Sequence, residues 1–132
     1  MRANCLPNVS VTIRVNGHAL LEYSADSEDE MAALCYVESV DGAQFSIVLT
    51  VLPGYEHRDD DLQFCVSLDG CYTRSLAISS AWVKQGTNVI SIDSTLDYAD
   101  GLSSRRKFTF ARTGKSTYRD TTWCHRRLTH LS

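Results

Sequence analysis

From Val9 to Val15 the chain reads Val-Ser-Val-Thr-Ile-Arg-Val, aliphatic at every odd position and polar at every even one. Only an extended backbone puts a period of two on a single face; a helix would spread the same residues around its axis. Val9, Val11, Ile13 and Val15 therefore point to a core and Ser10, Thr12 and Arg14 away from it. Asn16-Gly17 follows at once. Both residues tolerate φ > 0, so the pair is a strong signal for a tight hairpin, with a return strand over His18 to Tyr23.

The same grammar recurs down the chain. Residues 24–31 form an acidic loop with room for one helical turn, because Ser27 and Glu30 have capping-box spacing. Ala33 to Val40 is rich in strand formers, and Asp41-Gly42 then predicts a hairpin into a strand over Ala43 to Leu52. There Phe45, Ile47, Leu49 and Val51 share a face, and Val48 on the other face predicts cover on both sides. Pro53-Gly54 ends that run, since proline cannot extend a ladder. After an acidic loop at Glu56 to Asp61, Leu62, Phe64, Val66 and Leu68 alternate with polar or small residues. Asp69-Gly70 predicts a turn, and Cys71 to Ile78 returns with Tyr72, Leu76 and Ile78 inward. A looser stretch holds Trp82, Val83, Val89, Ile90 and Ile92. Residues 93–104 read as polar and turn-rich, and Arg105 to Ala111 as a last strand with Phe108 and Phe110 on one face.

About eight strands, three hairpin signals and no convincing helix predict an all-β fold, an antiparallel β-sandwich or jelly-roll-like architecture. The 132 residues suit one domain. The expected organisation is a short lead over 1–8, a sandwich over 9–111 and a basic, disordered tail over 112–132. Hydrophobic residues at 43% rule out disorder for the body. No run approaches 18 consecutive apolar residues, so no membrane span is expected. Five cysteines, an odd number, and an N-terminus lacking an apolar leader segment predict reduced thiols and an intracellular, cytoplasmic or nuclear, location.

The segments VTIRVNGHALLEYS, CYVESVDGAQFSIVLTV, DLQFCVSLDGCYTRSLAI and RRKFTFA, in this order and spacing, resemble a family of uncharacterised fungal domains of the DUF7918 type. The likeness spans about residues 9–111. It implies a β-sandwich, a fungal origin and a charged tail. It carries no activity and no catalytic residue to this chain, and nothing in it matches the segment after Ala111.

Several constellations suggest chemistry and fall short. Gly114-Lys115-Ser116 resembles the end of a phosphate loop, but Thr109 stands where the motif needs glycine and no helix pattern follows. His57-Arg58-Asp59 resembles a kinase catalytic loop without its asparagine or a glycine-rich loop. Glu56, Asp59, Asp60 and Asp61 could attract calcium, yet consecutive aspartates point in different directions. Cys124, His125 and His130 offer three zinc ligands where a closed site needs four. Glu22 and Glu38 lie on predicted strands and could share a cleft as a glycosidase pair, with Tyr55, Trp82 or Tyr98 as exposed sugar platforms. No catalytic residue, metal site or cofactor is assigned.

Charge is the remaining feature. Residues 1–111 carry 8 basic and 15 acidic side chains, a sum of −7, and residues 112–132 carry 5 and 1, a sum of +4. Arg105, Arg106, Lys107, Arg112, Lys115, Arg119, Arg126 and Arg127 form the concentrated basic region, with Tyr118 and Trp123 interleaved. An isoelectric point near 5.7 argues against a dedicated nucleic-acid binder. The expected function is a non-catalytic protein-interaction module whose surface is this basic set, with its protein partner and oligomeric state unassigned. The alternatives are an acidic chaperone-like binder of basic proteins, using residues 26–30 and 56–61, and a carbohydrate-active β-sandwich enzyme.

Overall fold

The computed structural model describes residues 7–26, 32–99 and 101–112. Among them run ten strands and one helical turn: β1 (Val9–Val15), β2 (His18–Ala19), β3 (Glu22–Ala25), β4 (Leu34–Val37), β5 (Phe45–Val51), β6 (Leu62–Leu68), β7 (Cys71–Ile78), α1 (Ser80–Val83), β8 (Asn88–Ile92), β9 (Ser94–Ala99) and β10 (Leu102–Lys107). Every pairing is antiparallel. One sheet has the order β2-β1-β5-β8, and β3–β4, β6–β7 and β9–β10 form two-stranded ribbons. The all-β expectation holds, with ten strands in place of about eight.

The alternation read in β1 is what the fold buries. Val9, Val11 and Ile13 lie opposite Val51, Leu49 and Ile47 of β5, and all six join one core. Phe64 and Val66 of β6, Ile78 of β7 and Ile92 of β8 complete it, with Tyr55, Val83 and Phe108. The core thus lies between the inner face of the four-stranded sheet and the β6–β7 ribbon, two layers joined through apolar faces. Each large side chain so buried contributes about 1.5–3 kcal/mol. Val48, on the opposite face of β5, is also buried, as expected for a strand covered on both sides.

Two hairpins form as read. Asn16 and Gly17 take φ of 51° and 80°, and Asp69 and Gly70 take 50° and 76°. Both residues of each pair are left-handed, which gives the twist that antiparallel strands need.

Asp41-Gly42 does not make a hairpin. Gly42 has φ 69° whereas Asp41 does not enter the left-handed region. The Ala43 amide donates to the Val40 carbonyl at 2.9 Å, closing a turn that redirects the chain without pairing its flanks. β4 pairs with β3 instead, and β5 pairs with β1 and β8. The predicted return strand over His18 to Tyr23 breaks at Leu20-Leu21 for the same reason: its second half, with Ser24 and Ala25, belongs to β3. The capping-box pair Ser27 and Glu30 lies outside the described residues.

Tyr72 faces outward, 68% exposed, against the inward placement expected. The β6–β7 register slips between Val66↔Arg74 and Ser67↔Tyr72, which leaves Thr73 as an extra residue. A bulge of one residue reverses the parity beyond it, so Leu76 and Ile78 keep the inner face and Tyr72 loses it.

Residues 93–104, expected to be loop, hold β9 and the first half of β10, with Gly101 at φ 76° in the turn. The predicted strand from Arg105 to Ala111 is split. β10 ends at Lys107, and Phe108 to Phe110 cross to the start of β5. There the Phe45 amide donates to the Phe108 carbonyl at 3.0 Å and the Phe110 amide to that of Ala43 at 3.0 Å. Phe108 and Phe110 do share a face, with ring centroids 5.6 and 4.5 Å from Phe45.

Candidate functional site

The first half of the basic set stands on β10, the outer strand of the β9–β10 ribbon. β9 is the inner one. The Thr95 hydroxyl donates to the Thr73 carbonyl at 3.4 Å, and an Arg74 guanidinium nitrogen donates to the Ser94 carbonyl at 3.3 Å, both across to β7. Ser94 is fully buried, yet all six residues of β10 are exposed. Arg106 pairs with Asp97 at 3.1 Å, and Lys107 forms an ion pair with Asp93. The Lys107 ammonium, first, and the Ser94 hydroxyl, second, hold the Asp93 carboxyl below the usual aspartate range. Arg105 adds only its longer-range charge. Carboxylates on the inner side and cations on the outer side leave the ribbon polarised, with its positive rim toward solvent.

Arg112 is apart from this group. Its guanidinium lies against the Asp41-Gly42 turn, with Nε 3.3 Å from where a Cβ on Gly42 would stand. Seven extended residues separate it from Arg105, a reach of up to about 25 Å. Lys115, Arg119, Arg126 and Arg127 lie outside the described residues, as do Gly114, Tyr118, Trp123 and the trio Cys124, His125 and His130.

The acidic loop after β5 is occupied with its own neighbours. Asp59 pairs with Lys84 at 2.7 Å, and that ammonium holds its carboxyl low. Asp61 accepts the Ser80 amide at 2.8 Å, and Asp60 lies 3.8 Å from His57. Three successive carboxylates point to three partners, and two of them, Asp59 and Asp61, tie the loop to both ends of α1. Arg58 donates to the Leu52 carbonyl at 3.1 Å. Among the described residues no group of three or more His, Cys, Asp or Glu is placed to hold a metal ion.

The sugar platforms are corrected in two places. Tyr55 is 4% exposed and belongs to the core. Burial, and then the charge of Asp60, push its phenol pKa up. Its position directly after Pro53-Gly54 folds it back under the turn, where its amide donates to the Leu52 carbonyl at 3.1 Å. Trp82 is half-buried against the core, and its carbonyl accepts from the Asn88 side chain at 2.6 Å. Glu22 and Glu38 do not share a cleft. Glu22 faces Val37 across β3–β4, on the side that packs toward the core, whereas Glu38 lies just beyond the end of β4 and is exposed.

One surface went unread in the sequence. Tyr23 and Tyr36 are cross-strand partners on β3–β4, both exposed, and Leu21 precedes them on the same alternation. The adjacent apolar pair Leu20-Leu21 was a signal for it, since alternation sends one of the two to each face.

No helix among the described residues is long and apolar enough to cross a membrane. No curated protein and no solved structure matches the chain significantly. A family model described as a domain of unknown function, DUF7918, matches residues 8–123, which spans the whole sheet framework, and the chain belongs to that family.

Proposed function

We propose that this domain is a non-catalytic protein-interaction module working through the β9–β10 ribbon. The observation that carries the reading is the contrast between Ser94, fully buried, and β10, exposed along its whole length with Arg105, Arg106 and Lys107 in sequence. Strands that serve only the fold bury one face. β10 buries neither, so it adds little to the core and presents its cationic side chains to solvent, where a partner can meet them. The exposed thiol of Cys71 fits work in a reducing, intracellular compartment.

The test is partner capture with the wild-type chain and with a triple charge reversal, Arg105→Glu, Arg106→Glu and Lys107→Glu. Their melting curves establish that both fold. Captured proteins should be identified by mass spectrometry, and those that depend on the ribbon should disappear with the variant. An identical set from both chains overturns the reading.

A further inference from the structure

The chemistry of the partner can be taken further. Leu102 pairs with Ala99 across a two-residue turn, and the register continues through Ser104↔Asp97 and Arg106↔Thr95. In such a hairpin the pair flanking the turn exchanges both ladder hydrogen bonds, and every second pair after it does the same. The backbone groups of Leu102, Ser104 and Arg106 are thus used against β9. Those of Ser103, Arg105 and Lys107 point the other way, along an edge about 20 Å long at the usual strand rise.

An edge that pairs with no further strand among the described residues is normally a hazard, and lysine or arginine on it disfavours pairing, by repelling another basic edge and by losing hydration against an apolar one. The same charges do not repel an acidic strand. The carboxylates Asp93 and Asp97 lie inward of the cations that they pair, so an incoming chain meets Arg105, Arg106 and Lys107 first. Side chains alternate along β10, with Arg105 and Lys107 on one face and Arg106 on the other. A neighbouring strand would satisfy all three only with consecutive acidic residues, which place carboxylates on both faces.

We propose that the outer edge of β10 takes up an extended acidic segment of a partner protein as an added β-strand, through the outward backbone groups of Ser103, Arg105 and Lys107 and the cations at 105–107. This rests on the ribbon being the interaction surface, and it adds the partner's chemistry and its mode of binding.

The probe is a short capped peptide with a central run of glutamates flanked by valine and threonine, titrated into the full chain and followed by backbone amide spectra. The amides of Ser103, Arg105 and Lys107 should gain protection from exchange. Affinity should fall about tenfold with Arg105→Glu, with the gap closing at high salt. Ser103→Pro deletes one outward donor without touching charge or the β9 ladder, and should cost about fivefold in affinity at unchanged melting temperature. A peptide methylated at alternate backbone nitrogens should lose binding. If it binds as well as the parent, strand addition is overturned, while the charge-reversal capture above still stands or falls by itself. A single-stranded RNA that binds this edge more tightly than the peptide also overturns the proposal, in favour of a phosphate backbone.

Discussion

The β6–β7 and β9–β10 ribbons are built alike and used differently. Each is an antiparallel hairpin closed on an Asp-Gly sequence, with the glycine at φ 76° in both. β6 then alternates Leu62, Phe64, Val66 and Leu68, and sends Phe64 and Val66 into the core. β10 carries Leu-Ser-Ser-Arg-Arg-Lys and buries nothing. In these two ribbons a turn that ends on a left-handed glycine closes the hairpin, and the period-two pattern decides whether it becomes a layer of the fold or a rim around it. Stability should therefore be concentrated in the first ribbon and adaptability in the second.

The largest consequence is an asymmetry in truncation. Phe64→Ala removes a ring that is 2% exposed, and should cost about 3–5 kcal/mol in denaturant unfolding. Leu102, at 75% exposed, should change stability by no more than about 0.5 kcal/mol when replaced by alanine. Comparable losses at the two positions would break the division between layer and rim.

The turn glycines sharpen it. A Cβ on Gly70 or Gly101 would meet nothing within 4 Å, so only the positive φ penalises alanine. The local cost is about 1–2 kcal/mol in either turn. Gly70→Ala should lower global stability by that amount, because its hairpin is part of the core. Gly101→Ala should mainly speed amide exchange in β9 and β10 and leave the melting temperature nearly unchanged. Equal shifts in melting temperature would mean that the two ribbons unfold as one unit.

Arg74 joins the two regions, reaching from β7 to the Ser94 carbonyl. Arg74→Met keeps an aliphatic stem and loses that hydrogen bond, worth about 1 kcal/mol. Exchange should quicken in β9 and β10 and stay unchanged at Phe64 and Val66, as amide spectra can report.

What could be read from the sequence follows the same boundary. Where one face is apolar and the turn holds two residues able to take φ > 0, as at Asn16-Gly17 and Asp69-Gly70, the turn and the pairing of its flanks were legible, whereas the return strand after Asn16-Gly17 proved shorter than read. The partner of β5 was not, because Asp41-Gly42 has the same letters and a different backbone, and only the competition between β4 and β1 for that edge resolves it. Tyr72 was misplaced by a bulge that leaves no mark in the residue types. The basic run at 105–107 was visible, but its restraint by Asp93 and Asp97 was not, since those acids come from the ribbon hidden in a stretch with too few apolar residues to read as strand. Tyr55 looked exposed because it follows a turn. Its burial comes from the way Pro53-Gly54 folds it back on the core.

The weakest tie within the second ribbon, between the end of β10 and the start of β9, is electrostatic and should yield first to acid. Lys107 donates to Asp93 and lowers its pKa relative to the ordinary value of 3.8, with the Ser94 hydroxyl helping. A carboxyl whose folded pKa is depressed adds stability that is fully present above its unfolded pKa and is lost as pH falls through the folded one. The affected window thus opens just below pH 4 and extends downward. Asp93 is 42% exposed on its side chain, so solvent screening limits the pair to about 0.5 kcal/mol. A carboxyl carbon titration should find Asp93 below the usual range in the wild-type chain and back within it in Lys107→Met. In that window the backbone shifts of Ser94 to Lys107 should move while those of Leu62 to Ile78 hold. An Asp93 that titrates normally in both chains would show that Lys107 does not pin the end of β10 to the start of β9.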